Sequence, residues 1–124
     1  MTPEEILSYP SKVLSDEQRK YYFRYGFVGV RDLVPKETLN KLKDLTNQFV
    51  EKSRKVSESN SVFDIGPGHS RDFPVLRRLK SPDENHNEYW NFSTGLMADV
   101  ASDLVGPNVT FHHSKLNFKW YDES

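Results

Sequence analysis

Residues 109–121 read VTFHHSKLNFKWY and alternate polar with apolar side chains, a period-two pattern that predicts one long β-strand. Successive side chains of a strand point to opposite faces of its sheet. One face would carry His112, Ser114, Leu116, Phe118 and Trp120, and the other Phe111, His113, Lys115, Asn117 and Lys119. The first face becomes apolar and is expected to pack beneath helices. From this alternation alone, the second face, which is polar, is expected to meet water. The alternative is that it lines a cavity and binds an anion.

Three helices are predicted upstream of this strand. The first, over 15–25, begins with the capping-box sequence SDEQ and stops before a glycine. The second, over about 35–55, begins at a proline and has one apolar face, made of Leu39, Leu42, Leu45, Phe49 and Val50. The third starts at about Asn87 and is closed by the Gly106-Pro107 pair.

Shorter β-rich segments lie between the helices. FVGVR (27–31) and PVLRRL (74–79) are expected as strands, and VFDI (62–65) leads into a turn. Arg77 and Arg78 are neighbours in the second of these segments, so one of them should face the interior. A buried arginine would require an anionic partner.

Composition restricts the class of protein further. The 124 residues include 17 basic and 18 acidic side chains, which gives no global charge that would attract nucleic acid or an anionic membrane. The absence of cysteine excludes disulfides, thiolate zinc sites and iron–sulfur clusters. Apolar runs are only a few residues long, and the start of the chain resembles no signal peptide. We therefore expect a cytoplasmic protein, with residues 1–14 as a flexible lead-in.

Two motifs contain histidines of the kind that bind metal ions. His112 and His113 are neighbours on the predicted strand, so they point to opposite faces and cannot chelate one ion together. His86-Asn87-Glu88 has the spacing of an H-x-carboxylate iron motif, but that motif needs a strand. At a helix start, residues two apart lie about 200° apart around the axis. A helix-capping role is predicted instead, and no metal ligand or catalytic residue is assigned.

Three stretches together resemble one known family, the phytanoyl-CoA dioxygenase family of iron(II)- and 2-oxoglutarate-dependent oxygenases. They are LSDEQRKYYFRYGFVGVRDLVPKETLNKL (14–42), FPVLRRLKSPDENHNEYW (73–90) and LVGPNVTFHHSKLNFK (104–119). The HSKLNFK strand within the last stretch is the most specific signal. The resemblance covers the chain from about Leu14 onward.

The resemblance implies an α+β fold that comprises the N-terminal helices and first strands of a double-stranded β-helix (jelly roll), incomplete in this chain. Residues 15–124 would be the N-terminal part of a single dioxygenase domain. In the family this strand is followed by a W-H-x-D segment that supplies two iron ligands. The sequence ends at Ser124 before any such segment, so the chain alone is expected to lack the iron ligands and to be inactive.

The resemblance also implies cofactors and site residues. Fe(II) and 2-oxoglutarate would serve the hydroxylation of a small organic substrate. A basic residue before the Ser-Pro turn lies near the cosubstrate in this family, and Arg78 matches it. Lys115 and Asn117, on the HSKLNFK strand, are assigned with it to cosubstrate binding. The alternation alone favours a polar face that meets water, whereas the resemblance implies that this face lines a cavity.

A second interpretation belongs to a different class of protein. The chain could be a non-catalytic α+β binding module, derived from the same fold, that acts through protein interactions. A weaker third option is RNA binding through the mildly basic helix at 35–55, but no aromatic stacking platform is interleaved with its lysines.

Overall fold

The structure is a computed structural model that describes residues 1–120, and its class is α+β. Two compact units are formed: Met1–Pro35 with Asn91–His112, and Lys36–Trp90 with the segment from His113 onward. The elements are α1 (Pro3–Leu7), α2 (Asp16–Tyr25), α3 (Lys36–Ser53), β1 (Phe63–Ile65), β2 (Leu76–Lys80), α4 (Pro82–Asn85), α5 (Asn87–Thr94), α6 (Leu96–Val105) and β3 (Lys115–Asn117).

Helix α2 has the boundaries that its capping signals predict. The Ser15 hydroxyl accepts the N–H of Gln18 while the Gln18 side chain accepts the N–H of Ser15, which completes the capping box. Gly26 follows the helix with φ 82°, in the left-handed region that favours glycine. Both predictions are confirmed.

Residues 1–14 differ from the expected lead-in because they are packed. Thr2 caps the short helix α1, and Ile6 and Leu14 are buried, with 5% and 1% of their surface exposed. Burial of these two apolar side chains ties the segment to the first unit.

The third predicted helix is interrupted at Gly95, so its residues form α5 and α6. A Cβ at Gly95 would lie 2.7 Å from the carbonyl oxygen of Asn91. Only glycine permits this close approach of the backbone. The helix ends at Val105, before Gly106, as predicted.

The prediction of a strand over 27–31 is wrong. Residues 27–30 have no regular structure, and Arg31 and Asp32 form a turn. Within residues 1–120 the sheet contains only β1, β2 and β3, so this segment has no strand to pair with. β-propensity reflects packing against neighbouring strands, and such packing is lacking here.

The second unit contains an antiparallel sheet in the order β1-β2-β3. Phe63 pairs with Leu79, which pairs with Leu116, so these side chains form one apolar row on a single face. That face packs on Leu45 and Phe49 of α3 and on Tyr89 of α5. The core of this unit therefore lies between one face of the sheet and the helices.

The last predicted strand is shorter than expected. Only Lys115–Asn117 form β3, and they pair with Arg78–Lys80 of β2. The N–H of Phe118 still bonds the carbonyl of Arg77, and the Trp120 indole N–H donates to the carbonyl of Leu76 at 2.7 Å. The alternation persists from His113 to Trp120, with exposed residues between partly buried ones. Residue 121 lies outside the described residues.

None of the helices in residues 1–120 combines the length and the apolar character needed to cross a membrane.

Candidate functional site

The exposed face of the sheet brings together the three residues for which the resemblance implied a role in cosubstrate binding. Arg78 of β2 pairs directly with Asn117 of β3, and Lys80 pairs with Lys115. Paired residues of an antiparallel sheet share a face, and residues two apart along a strand do too. Arg78, Lys115 and Asn117 are all exposed. We call the surface made by Asp64, Arg78, Lys80, Lys115 and Asn117 the polar face.

Hydrogen bonds orient the side chains of the polar face. The Nε of Arg78 donates to the Oδ1 of Asn117 at 3.3 Å. The Nζ of Lys80 donates to the carbonyl of Asn60 at 2.8 Å, which directs this ammonium toward the loop before β1. Asp64, paired with Arg78 on its other side, accepts the Ser59 hydroxyl at 3.4 Å. Arg78 therefore lies between an amide and a carboxylate.

The polar face carries excess positive charge. It holds the side chains of Arg78, Lys80 and Lys115 against the single carboxylate of Asp64. Lys80 and Lys115 are paired residues of β2 and β3, and the Lys80 ammonium is held toward the β1 side by the Asn60 carbonyl. A guanidinium, an ammonium and an amide on one surface are suitable donors for a carboxylate. The arrangement can therefore bind an organic anion.

The expectation that Arg77 or Arg78 faces the interior is wrong, because both are exposed. The cause is a β-bulge. Asp64 pairs with Arg78, but its neighbour Ile65 pairs with Leu76, so Arg77 is an extra residue in β2. The bulge lets Leu76 and Leu79, three residues apart, both be fully buried. Simple alternation could not have placed these side chains.

The described residues do not fit an iron site. No group of three or more histidine, aspartate or glutamate side chains in residues 1–120 could hold a metal ion together. His86 has the capping role predicted for it: its Nδ1 accepts the N–H of Glu88 at 3.1 Å, and its carbonyl accepts the N–H of Tyr89. His112 and His113 are exposed.

The buried charges of the molecule lie elsewhere, in the first unit, and the sequence did not reveal them. Arg19 and Asp103 are 1% and 2% exposed. The Asp103 carboxylate accepts the backbone N–H groups of Lys12, Val13 and Leu14, each at 2.8 Å. Arg19 donates to the carbonyls of Ile6, Tyr9 and Asp103. The sequence contains one signal for a buried charge, because Asp103 lies within the apolar stripe of the third predicted helix.

This arrangement determines the ionisation of Asp103. Burial by itself raises the pKa of the carboxyl group. The three backbone N–H donors and the positive charge of Arg19 outweigh burial, so the pKa of Asp103 is lowered. Asp103 acts as an anionic cap for the segment 12–14, and its role is structural.

Comparison of the chain with protein-family models, with curated proteins and with solved structures found no match in any of the three.

Proposed function

We propose that the polar face positions 2-oxoglutarate in an iron(II)-dependent oxygenase with a jelly-roll fold that hydroxylates a small organic substrate. The observation that carries this proposal is the direct pairing of Arg78 with Asn117, with Lys115 on the same face. These are the residues that the resemblance to phytanoyl-CoA dioxygenases assigned to the cosubstrate.

The chemistry of the polar face suits a dianion. Arginine presents planar, diverging N–H donors that match the two oxygens of a carboxylate. Asn117 accepts from Nε of Arg78 and so holds the guanidinium plane in one orientation, with its terminal nitrogens as the donors for a ligand. Lys115 adds a positive charge on β3, two residues before Asn117.

The described residues contribute the positioning of the cosubstrate and nothing more. Iron, when bound, would supply the activation of oxygen, and no group of three or more potential metal ligands lies together in residues 1–120. The proposal therefore requires a longer form of the polypeptide that carries those ligands. Arg78, Lys115 and Asn117 would then border 2-oxoglutarate and orient it through one of its carboxylates.

The test is titration of the 124-residue chain with 2-oxoglutarate and with glutarate, which lacks the ketone, followed by amide NMR shifts. Because these residues would contact carboxylate oxygens and not the ketone, both dianions should bind alike and shift residues around Arg78 and Asn117. Each contact on an exposed surface contributes up to about 1 kcal/mol. Arg78→Ala and Lys115→Ala should therefore each weaken binding by up to about fivefold, and added salt should weaken it further.

Matched controls are Arg31→Ala and Lys20→Ala, which remove the same charges from exposed positions in the first unit. Both should leave binding within the error of the titration. The proposal is rejected if butyrate, a monoanion, shifts the same amides as strongly as glutarate, or if Arg78→Ala changes nothing. The interpretation as a non-catalytic module would then be preferred.

A further inference from the structure

His69, in the loop between β1 and β2, bonds a backbone group through each of its two ring nitrogens. Its Nε2 lies 2.9 Å from the carbonyl oxygen of Ser53, and its Nδ1 lies 2.8 Å from the backbone nitrogen of Val75. A carbonyl can only accept a hydrogen bond and a backbone N–H can only donate one. The two partners therefore assign a neutral imidazole that carries its hydrogen on Nε2 and accepts through Nδ1.

The imidazole of His69 connects three parts of the second unit. Ser53 is the last residue of α3 and is fully buried, and Val75 directly precedes β2. The Val75 carbonyl accepts the N–H of Gly66 at 2.8 Å, which closes the loop with a backbone bond. The N–H of Val75 bonds the imidazole instead of a backbone carbonyl. Part of the closure of this loop therefore depends on the ionisation of a side chain.

We propose that Ser53, His69 and Val75 form a pH-sensitive clasp, which is closed when His69 is neutral and opens between His69 and Val75 when the ring gains a proton. Protonation places a second hydrogen on Nδ1, so that two donors face each other where one hydrogen bond existed. The Nε2–H remains a donor, and a positively charged ring bonds a carbonyl at the C-terminal end of a helix more strongly than a neutral ring does. The ring therefore stays with α3 and releases Val75.

Mild acidification is the condition to which the clasp would respond, because histidine is the side chain that ordinarily changes charge between pH 5 and 8. Both ring nitrogens of His69 bond backbone groups rather than a carboxylate. Other charged side chains lie on the segments next to the clasp, and together they set the pH at which it opens. They are Glu51, Lys52, Arg54 and Lys55 at the end of α3, Asp64 of β1, Arg71 and Asp72 of the loop, and Arg77 and Arg78 of β2.

Arg54 limits how far the loop can move when the clasp opens. Its guanidinium donates to the carbonyl of Arg71 at 2.6 Å and to that of Asp72 at 3.3 Å. These bonds hold the loop on α3 whether or not His69 is charged. Opening of the clasp therefore loosens the start of β2, three residues before Arg78, and leaves the loop attached. The inference does not depend on binding of 2-oxoglutarate.

The test is NMR of the 124-residue chain labelled with nitrogen-15, between about pH 8 and about pH 5.5, a range that spans the titration of ordinary histidines. At the upper end, Nε2 of His69 should carry the hydrogen and Nδ1 should not. At the lower end, the Val75 amide should lose about fivefold or more of its protection from hydrogen exchange, relative to an unstructured chain at the same pH, because one hydrogen bond is lost. The Lys80 amide, which bonds the Val62 carbonyl at the far end of β2, should keep its protection.

The variant His69→Gln makes the test specific to the ring. A glutamine amide offers both a donor and an acceptor but does not titrate, so the pH dependence of Val75 protection should disappear. His86→Gln, at the exposed histidine that caps α5, should leave that dependence intact. A hydrogen on Nδ1 of neutral His69, or a Val75 amide that stays protected once the ring is charged, would overturn the clasp. An equal loss of protection at Lys80 would also overturn it, since the change would then be global.

Discussion

The Nε of Arg78 donates a hydrogen bond to the Oδ1 of Asn117, 3.3 Å away, and so links the central strand of the sheet to its edge strand on the exposed side. The two residues are 39 positions apart in sequence, and the register of β2 against β3 places them opposite each other. The bond joins two exposed side chains and leaves the apolar face of the sheet untouched. Its consequence is the orientation of a guanidinium rather than the stability of the fold.

Arg78→Ala and Asn117→Ala should therefore have small effects on stability. An exposed polar contact of this kind contributes about 0.2–1 kcal/mol. We expect each variant to lower the free energy of unfolding by less than about 1 kcal/mol, as measured by urea denaturation. A loss above 2 kcal/mol in either variant, on the order of a core truncation, would contradict the assignment of these residues to ligand binding.

Elements with complete local signals were predictable from the sequence. The capping box at Ser15 and the glycine at position 26 define α2, and the apolar face around Leu45 and Phe49 defines α3. Segments whose structure depends on a distant partner were not. Residues 27–31 have a strand-like composition but no partner strand among residues 1–120, and β3 pairs with only three residues of β2.

The positions of the candidate site residues were predictable only in part, and their role in binding stays a prediction. Arg78, Lys115 and Asn117 were assigned from a resemblance, and the register of the sheet places them on one face. The bulge at Arg77 could not be predicted, because it depends on how β2 pairs with β1. The contacts between Asp103 and residues 12–14 span about 90 positions, and no local pattern encodes them.

The αL position after α2 gives a matched pair of glycine substitutions. Gly26 has φ 82°, whereas Gly29 does not have a positive φ, and a Cβ at either would meet no atom within 4 Å. Steric overlap therefore cannot explain a difference between the two. Gly26→Ala should lower the free energy of unfolding by about 1 kcal/mol, because L-residues are disfavoured in this conformation. Gly29→Ala should leave it unchanged or raise it slightly. Equal losses in denaturant melts would show that the conformation at Gly26 is not the cause.

The hydroxyl groups of Thr46 and Tyr89 form a 2.8 Å hydrogen bond between α3 and α5. Tyr89 is buried beside Phe49, with ring centroids 6.1 Å apart. Tyr89→Phe and Thr46→Val each remove one hydroxyl and keep the packing. Each should cost about 1 kcal/mol, and the double variant should cost little more than either alone. Tyr9→Phe, at an exposed tyrosine, is the control for loss of a hydroxyl. Additive losses in the double variant would exclude coupling between the two groups.

Asp103→Asn should be the most damaging of these substitutions. The carboxylate accepts three backbone N–H groups at 2.8 Å, and an amide can offer only one oxygen in its place. Val13 and Leu14 donate to one oxygen and Lys12 to the other, so the amide leaves one or two of these donors unpaired. Each costs about 1–3 kcal/mol, so a loss of about 2 kcal/mol or more is expected in chemical denaturation. Asp99→Asn, which removes a half-exposed ion pair with Lys12, should cost less than about 1 kcal/mol. Comparable losses in the two variants would refute the role of Asp103 as a cap.

The same carboxylate should make the protein sensitive to acid. Although burial raises the pKa of Asp103, the three N–H donors and Arg19 outweigh it, so the folded-state pKa lies below the usual value. In the unfolded chain an aspartate titrates at about 3.9. The stabilisation from Asp103 is therefore fully present above about pH 4 and is lost as the pH falls through the folded-state pKa. Free energies of unfolding measured from pH 6 down to pH 2.5 should fall more steeply in the unmodified protein than in Asp103→Asn, with the difference between them narrowing below pH 4. A difference that stays constant across this range would mean that Asp103 remains ionised or does not titrate with folding.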